Sequence, residues 1–177
     1  LVSEIERGDL GRRPLRTLRT VGAALGATID LDVRWRGGDA DRLLNAAHTQ
    51  LAEAIARHLD GYPGWSYVPE AAFAIGAERG VIDLLAFHLA TGSLLIIEVK
   101  TTLTDIPRLL EVTSRRLRLA PRIAAERGWS VRSVSSWIVV ADSTANRRLA
   151  RSVRSMLRAT APADGRAIRA YLSAPLG

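Results

Sequence analysis

Hydrophobic and polar positions change their period several times along the chain, and each change marks an element. Leu15, Leu18, Val21, Ala24 and Leu25 recur at helical spacing, and Gly26 is a stop. The stretch "TIDLDVRW" then alternates strictly: Ile29, Leu31, Val33 and Trp35 share one side, and Asp30, Asp32 and Arg34 the other. That is the pattern of a half-buried strand. After "GGD" the spacing returns to helical from about 40 to 59, with Leu44, Ala47, Leu51, Ile55 and Leu59 as the stripe, and Asp39 or Asp41 able to cap it. Three strands are predicted next, over Tyr67–Ile75, Val81–His88 and Leu94–Lys100, separated by "GAERG" and "ATGS". Pro69 makes the first an edge candidate.

Asp105 and Pro107 open a long helix directed towards Gly128, with a kink expected at Pro121. Val131–Ala141 reads as a further strand, followed by basic helices in "TANRRLARSVRSMLRA" and "GRAIRAYL". Strands 81–88 and 94–100 are apolar on both faces, so helices should cover both sides of the sheet. The expected class is α/β, with the order helix, three strands, helix, strand around a mixed sheet. The expected organisation is a short N-terminal helical segment over 1–27, a strand and linker over 28–38, the α/β domain over 39–145, and basic C-terminal helices over 146–177.

Composition narrows the options. The 177 residues contain no cysteine, which excludes a disulfide framework and a thiolate metal site and fits a cytoplasmic protein. No apolar run is long enough to span a membrane. The chain lacks an initiating methionine, which leads us to expect that it is part of something longer. A formal charge of +7 favours a polyanionic partner, DNA first. Nothing in the sequence argues against a homodimer.

Charge placement changes the picture more than charge total. "VIDLLAFHLATGSLLIIEVKTT" carries Asp83, Glu98 and Lys100 inside an otherwise apolar hairpin, and Lys100 is the only lysine among 25 Lys and Arg residues. With Thr91 and Gly92 as the turn, paired positions sum to 183. Lys100 then opposes Asp83, Glu98 opposes Leu85, and all three charges share one face. Two carboxylates ~5 Å apart repel by roughly 3 kcal/mol at an effective dielectric near 20. A shared proton, Lys100 or a divalent cation could offset this. A hard cation such as Mg²⁺ or Mn²⁺ accepts two carboxylates, a main-chain carbonyl and waters. Lysine, unlike arginine, can lose its proton, which suits a site that needs this residue type.

Asp83, then Glu98-Val99-Lys100 on the next strand, inside this element order, resembles the PD-(D/E)XK nuclease superfamily over roughly residues 40–142. The resemblance implies a restriction-endonuclease-like core, with Asp83 and Glu98 as ligands of Mg²⁺ or Mn²⁺, Lys100 as the catalytic lysine, and metal-dependent hydrolysis of DNA phosphodiesters. The leading Pro of the motif is Ile82 here. A fourth acidic residue often completes such sites; Glu70 is the first candidate and Glu53 the second. Arg79, Arg115, Arg116 and Arg118 are candidate nucleic-acid contacts. The three histidines show no ligand spacing and read as structural or exposed. "SEIERGDLGRRPLRTLRTVGAALGA" resembles the end of a Cro/repressor-type helix-turn-helix domain, which implies a DNA-binding transcriptional regulator. The superfamily pattern includes a Leu-Asp-x-Lys on the helix after the motif, where this chain has Thr113-Ser114-Arg115-Arg116. Two functions therefore stand side by side: a DNA endonuclease, and a regulator whose nuclease-like domain only binds DNA or a ligand.

Overall fold

A computed structural model describes residues 14–26 and 39–176. The first half of the helical segment expected over 1–27, and the strand expected over 28–35, lie outside the described residues. The chain divides into two compact units, residues 1–37 and 38–177. The first contributes helix α1 (Leu15–Ala24), with Pro14 before it in extended backbone and Gly26 beyond its end at φ 69. Glycine adopts this left-handed conformation without steric cost, which is how it stops the helix.

The second unit is an α/β domain. Helix α2 (Asp39–Asp60) precedes strands β1 (Trp65–Ile75), β2 (Glu78–His88) and β3 (Ser93–Lys100). Helix α3 (Ile106–Ala125) then leads to β4 (Ser133–Val140), followed by α4 (Thr144–Ser152), α5 (Arg154–Thr160) and α6 (Gly165–Ser173). The sheet order is β1-β2-β3-β4. The first two pairings are antiparallel and β3–β4 is parallel, so the sheet is mixed. A parallel pair needs a long crossover, and α3 supplies it.

Both faces are covered, as the two-sided apolar strands require. On one face Leu85, Phe87, Leu94 and Ile96 pack against Leu119, Ala120, Ile123 and Ala124 of α3. On the other, Leu84, Ala86, Leu95, Ile97 and Val99 pack against Ile55 and Leu59 of α2 and Leu172 of α6. The alternation along β2 and β3 thus sorts cleanly between two helical layers. β1 is an edge of the four-stranded sheet, consistent with Pro69.

Two expectations are corrected. The β2–β3 connection is not a two-residue turn. His88 pairs with Ser93, leaving the four-residue loop Leu89–Gly92, and Gly92 at φ 70 donates its N–H to His88 O at 2.9 Å. His88 Nδ1 and Thr91 Oγ1 lie 2.9 Å apart and brace this longer loop. Paired positions therefore sum to 181, not 183 (Leu84 with Ile97), so Lys100 does not oppose Asp83 and Glu98 does not oppose Leu85. The slip is even and keeps the phase of the alternation, but the three charges expected to share one face are separated: Asp83 lines a cavity with His48 of α2, and Glu98 and Lys100 line one with Arg116 of α3. As expected, helix α3 runs through Pro121 and ends at Ala125, with Gly128 at φ 72 just beyond it. The basic helix expected over 144–159 is divided at Val153, whose φ of −108 and ψ of 18 leave the helical region.

Candidate functional site

The two central strands stop pairing at Leu84–Ile97, one residue before Asp83 and Glu98 would face each other. There Asp83 Oδ2 accepts the main-chain N–H of Val99 at 2.6 Å. A side-chain carboxylate thus takes over the acceptor role that the neighbouring strand would otherwise fill. The β1–β2 ladder is interrupted at the same level. Pro69 pairs with Leu84 and Ala71 with Ile82, while Glu70, between them and opposite Asp83, is unpaired. Glu70 has φ 46, the only positive φ of a non-glycine among the described residues. Such a conformation is costly for a residue with a Cβ and points to a locally constrained backbone. Glu70, Asp83 and Glu98 therefore stand in one row across three strands.

The row is not a single cluster. Glu70, Asp83, Glu53 and His48 line a cavity of about 400 Å³ beneath α2. Glu98, Lys100 and Arg116 line another of about 230 Å³ with the start of α3 and the loop before it. Asp83 Oδ1 lies 3.6 Å from His48 Nε2. Glu98 is 1% exposed, and its carboxylate faces two cations. Lys100 Nζ stands 3.7 Å from Oε2. Arg116 Nη1 contacts Oε1, and neither atom has any other hydrogen-bonding partner among the described residues. Arg116 is 14% exposed and donates Nη2 to Val81 O at 2.5 Å. Burial pulls its guanidinium below the ordinary arginine value, and Asp83 opposes that pull. The guanidinium stays charged. The repulsion of the two carboxylates is offset here by Arg116 and Lys100.

The remaining candidates separate. Arg115 Nη1 lies 3.7 Å and Arg118 Nη2 3.0 Å from the carboxylate of Glu78, so these two arginines flank a different acid from Arg116. Arg79 is exposed and pairs in the ladder with Ala74, four residues along β2 from Asp83, roughly 13 Å at the usual rise.

Two contributors escape sequence reading and a third changes its role. Arg116, a candidate nucleic-acid contact by sequence, falls on the buried stripe of α3 with Leu109, Thr113, Ala120 and Ile123, a phase visible in the sequence. His48 shares its helical phase with Ile55 and Leu59 in the same way. Asn146, 4% exposed, accepts from Leu103 N and donates to Thr101 O and Ala141 O, which ties the chain after Lys100 to the end of β4. No sequence pattern announces that role.

As folded here, the cluster is not arranged to hold a metal. Among the described residues no three His, Asp or Glu side chains converge on a common point, and Arg116 and Lys100 already face the Glu98 carboxylate. Comparison with protein-family models, with curated proteins and with solved structures finds no match to this chain.

Proposed function

We propose that this chain is a DNA-acting protein in which residues 39–145 form a restriction-endonuclease-like domain of the PD-(D/E)XK type, and that the domain, with Arg116 seated on Glu98, binds DNA without cleaving it. The element order, the mixed sheet and the row of Asp83 and Glu98 where β2 and β3 part support the fold assignment. The observation that carries the functional reading is the buried contact between Arg116 and Glu98. Two carboxylates facing one arginine and one lysine leave the site almost neutral. Attraction for phosphate then falls to exposed arginines such as Arg148, Arg151, Arg154 and Arg158 on α4 and α5. The N-terminal helix-turn-helix resemblance accords with a transcriptional regulator.

Lys100 favours a second reading, hydrolysis. The chain's only lysine stands beside Glu98 and is 37% exposed, open enough to meet a phosphodiester. In that reading Mg²⁺ or Mn²⁺ would supply an activated water and neutralise charge on the phosphate.

A plasmid assay separates the two. The parent and Lys100→Ala are incubated with supercoiled DNA and millimolar Mg²⁺ or Mn²⁺, and binding is measured across a salt series. We expect binding that weakens steeply with salt and no nicking beyond the Lys100→Ala level. Metal-dependent nicking by the parent alone would establish hydrolysis. Binding indifferent to salt would remove DNA phosphate as the partner.

A further inference from the structure

We propose that the outer edge of β4 is a docking site for an extended segment of a partner protein, apolar at its centre and acidic at its flanks. Among the described residues β4 ends the sheet and pairs only with β3. Its other side borders a cavity of about 400 Å³ that is lined by five consecutive residues, Val134–Ile138. Side chains alternate between the two faces of a strand, so five in a row line one cavity along the strand's edge. Ser133 N and Ala141 N both donate on the β3 side, to Gly92 O and Lys100 O. Period two then turns the main-chain N–H and C=O of Val134, Ser136 and Ile138 away from β3 and towards the cavity. The stretch spans roughly 13 Å at the usual rise, enough to pair about five residues.

The other walls suit an added strand. Leu117 of α3 belongs to the apolar layer on one face of the sheet, and Ile168 and Tyr171 of α6 to the layer on the other. An incoming segment therefore meets apolar surface with both of its alternating sets of side chains. Tyr171 Oη is buried without a hydrogen-bonding partner among the described residues, and a segment lying along β4 can supply one. In such complexes main-chain pairing gives affinity and the side-chain pockets give selectivity. From Ser133 to Val140 the strand carries neither proline nor charge, the devices that usually blunt an edge. Charge decides the occupant. Arg132 directly precedes β4, and from Arg147 to Arg169 the following helices carry seven arginines against one acid, Asp164. A second copy would bring this positive charge against itself, whereas acidic flanks complement it.

The test uses a fluorescent peptide, Asp-Glu-Val-Thr-Val-Thr-Val-Glu-Asp, and fluorescence anisotropy with the whole chain, without DNA. One alternating set of peptide N–H groups faces β4 and the other faces away. We expect saturable binding that N-methylation of one set weakens roughly tenfold or more, as for the loss of one or two main-chain hydrogen bonds, while methylation of the other set does much less. Lysine in place of the acidic flanks should also weaken binding. Ser136→Pro removes an outward N–H of β4 and leaves its pairing with β3 intact, and should weaken binding as well. Peptide methylation leaves the protein unaltered, so the test stands even where the proline variant does not fold. Absence of binding, or both methylated peptides binding like the unmodified one, overturns the proposal. So does a parent chain that sediments as a dimer which Ser136→Pro converts to a monomer, because the edge then belongs to a second copy.

Discussion

The two halves of one hairpin are held by different physics. From Leu84 to His88 and from Ser93 to Ile97, main-chain pairs form a regular ladder between two apolar layers. One residue further, at Asp83 and Glu98, the ladder stops, and a carboxylate, a guanidinium and an ammonium take over. The first half is stabilised by area removed from water, which is tolerant of exchange among apolar residues of similar size. In the second half every buried charge depends on a particular opposite, and losing one leaves the other stranded. A fold can therefore tolerate drift along most of a strand and none at its end.

The sharpest way to break this comparison is to strand a charge. Arg116→Ala should cost about 3–5 kcal/mol, since Glu98 remains buried with its main partner gone. The double variant Arg116→Met/Glu98→Leu should recover most of that loss, because replacing both charges by apolar groups is often neutral. Denaturant unfolding of the single and double variants checks this. A double variant no better than the single would mean that shape, and not charge, governs that end. In the apolar half no such rescue exists. Leu85→Ala, fully buried, should cost about 2–5 kcal/mol through lost transfer energy and the cavity left behind.

Legibility divides along the same line. The apolar half could be read from sequence, including that both of its faces are covered by helices, because period-two alternation survives an even slip in register. The charged half could be read only as a gathering of Asp83, Glu98 and Lys100. Its partners arrive from α2 and α3, and whether His48 or Arg116 turns inward depends on how each helix is rotated against the sheet. The buried stripe of α3 carried that information for Arg116. Composition hid it, because Arg115, Arg118 and Arg122 stand beside it and look alike. The register goes with a four-residue loop braced by the His88–Thr91 contact, a detail that turn propensities do not encode.

A smaller effect separates the two tasks of Asp83. Asp83→Ala leaves the buried Val99 N–H without its acceptor and should cost about 1–3 kcal/mol. Asp83→Asn retains an oxygen acceptor and should cost less. Hydrogen exchange at Val99 gives the finer measurement, with protection kept in the Asn variant and lost in the Ala variant. Equal protection in both would show that the ladder closes without the side chain.

The smallest effect lies far from the hairpin and follows pH. Main-chain N–H groups of Ala167 and Arg166 hold the Asp164 carboxyl below its ordinary value of 3.8. A lowered carboxyl stabilises the fold fully above its ordinary value and ceases to as pH falls through the lowered one. The gap in melting temperature between the parent and Asp164→Ala should thus be widest near neutrality and shrink between about pH 5 and pH 2. A gap that does not change over this range would mean that the capping hydrogen bonds of α6 do not depend on charge.

The kink at Glu70 has a consequence for association. Among the described residues β1 is an edge strand, and an exposed edge offers unpaired main-chain groups as a template on which other chains can add. An incoming strand that followed β1 would meet the missing N–H of Pro69 and then, at φ 46, a backbone turned out of the extended path with a charged side chain on it. Continuous pairing past that point is blocked. The same irregularity that interrupts the β1–β2 ladder also opposes continuous sheet-to-sheet addition along this edge.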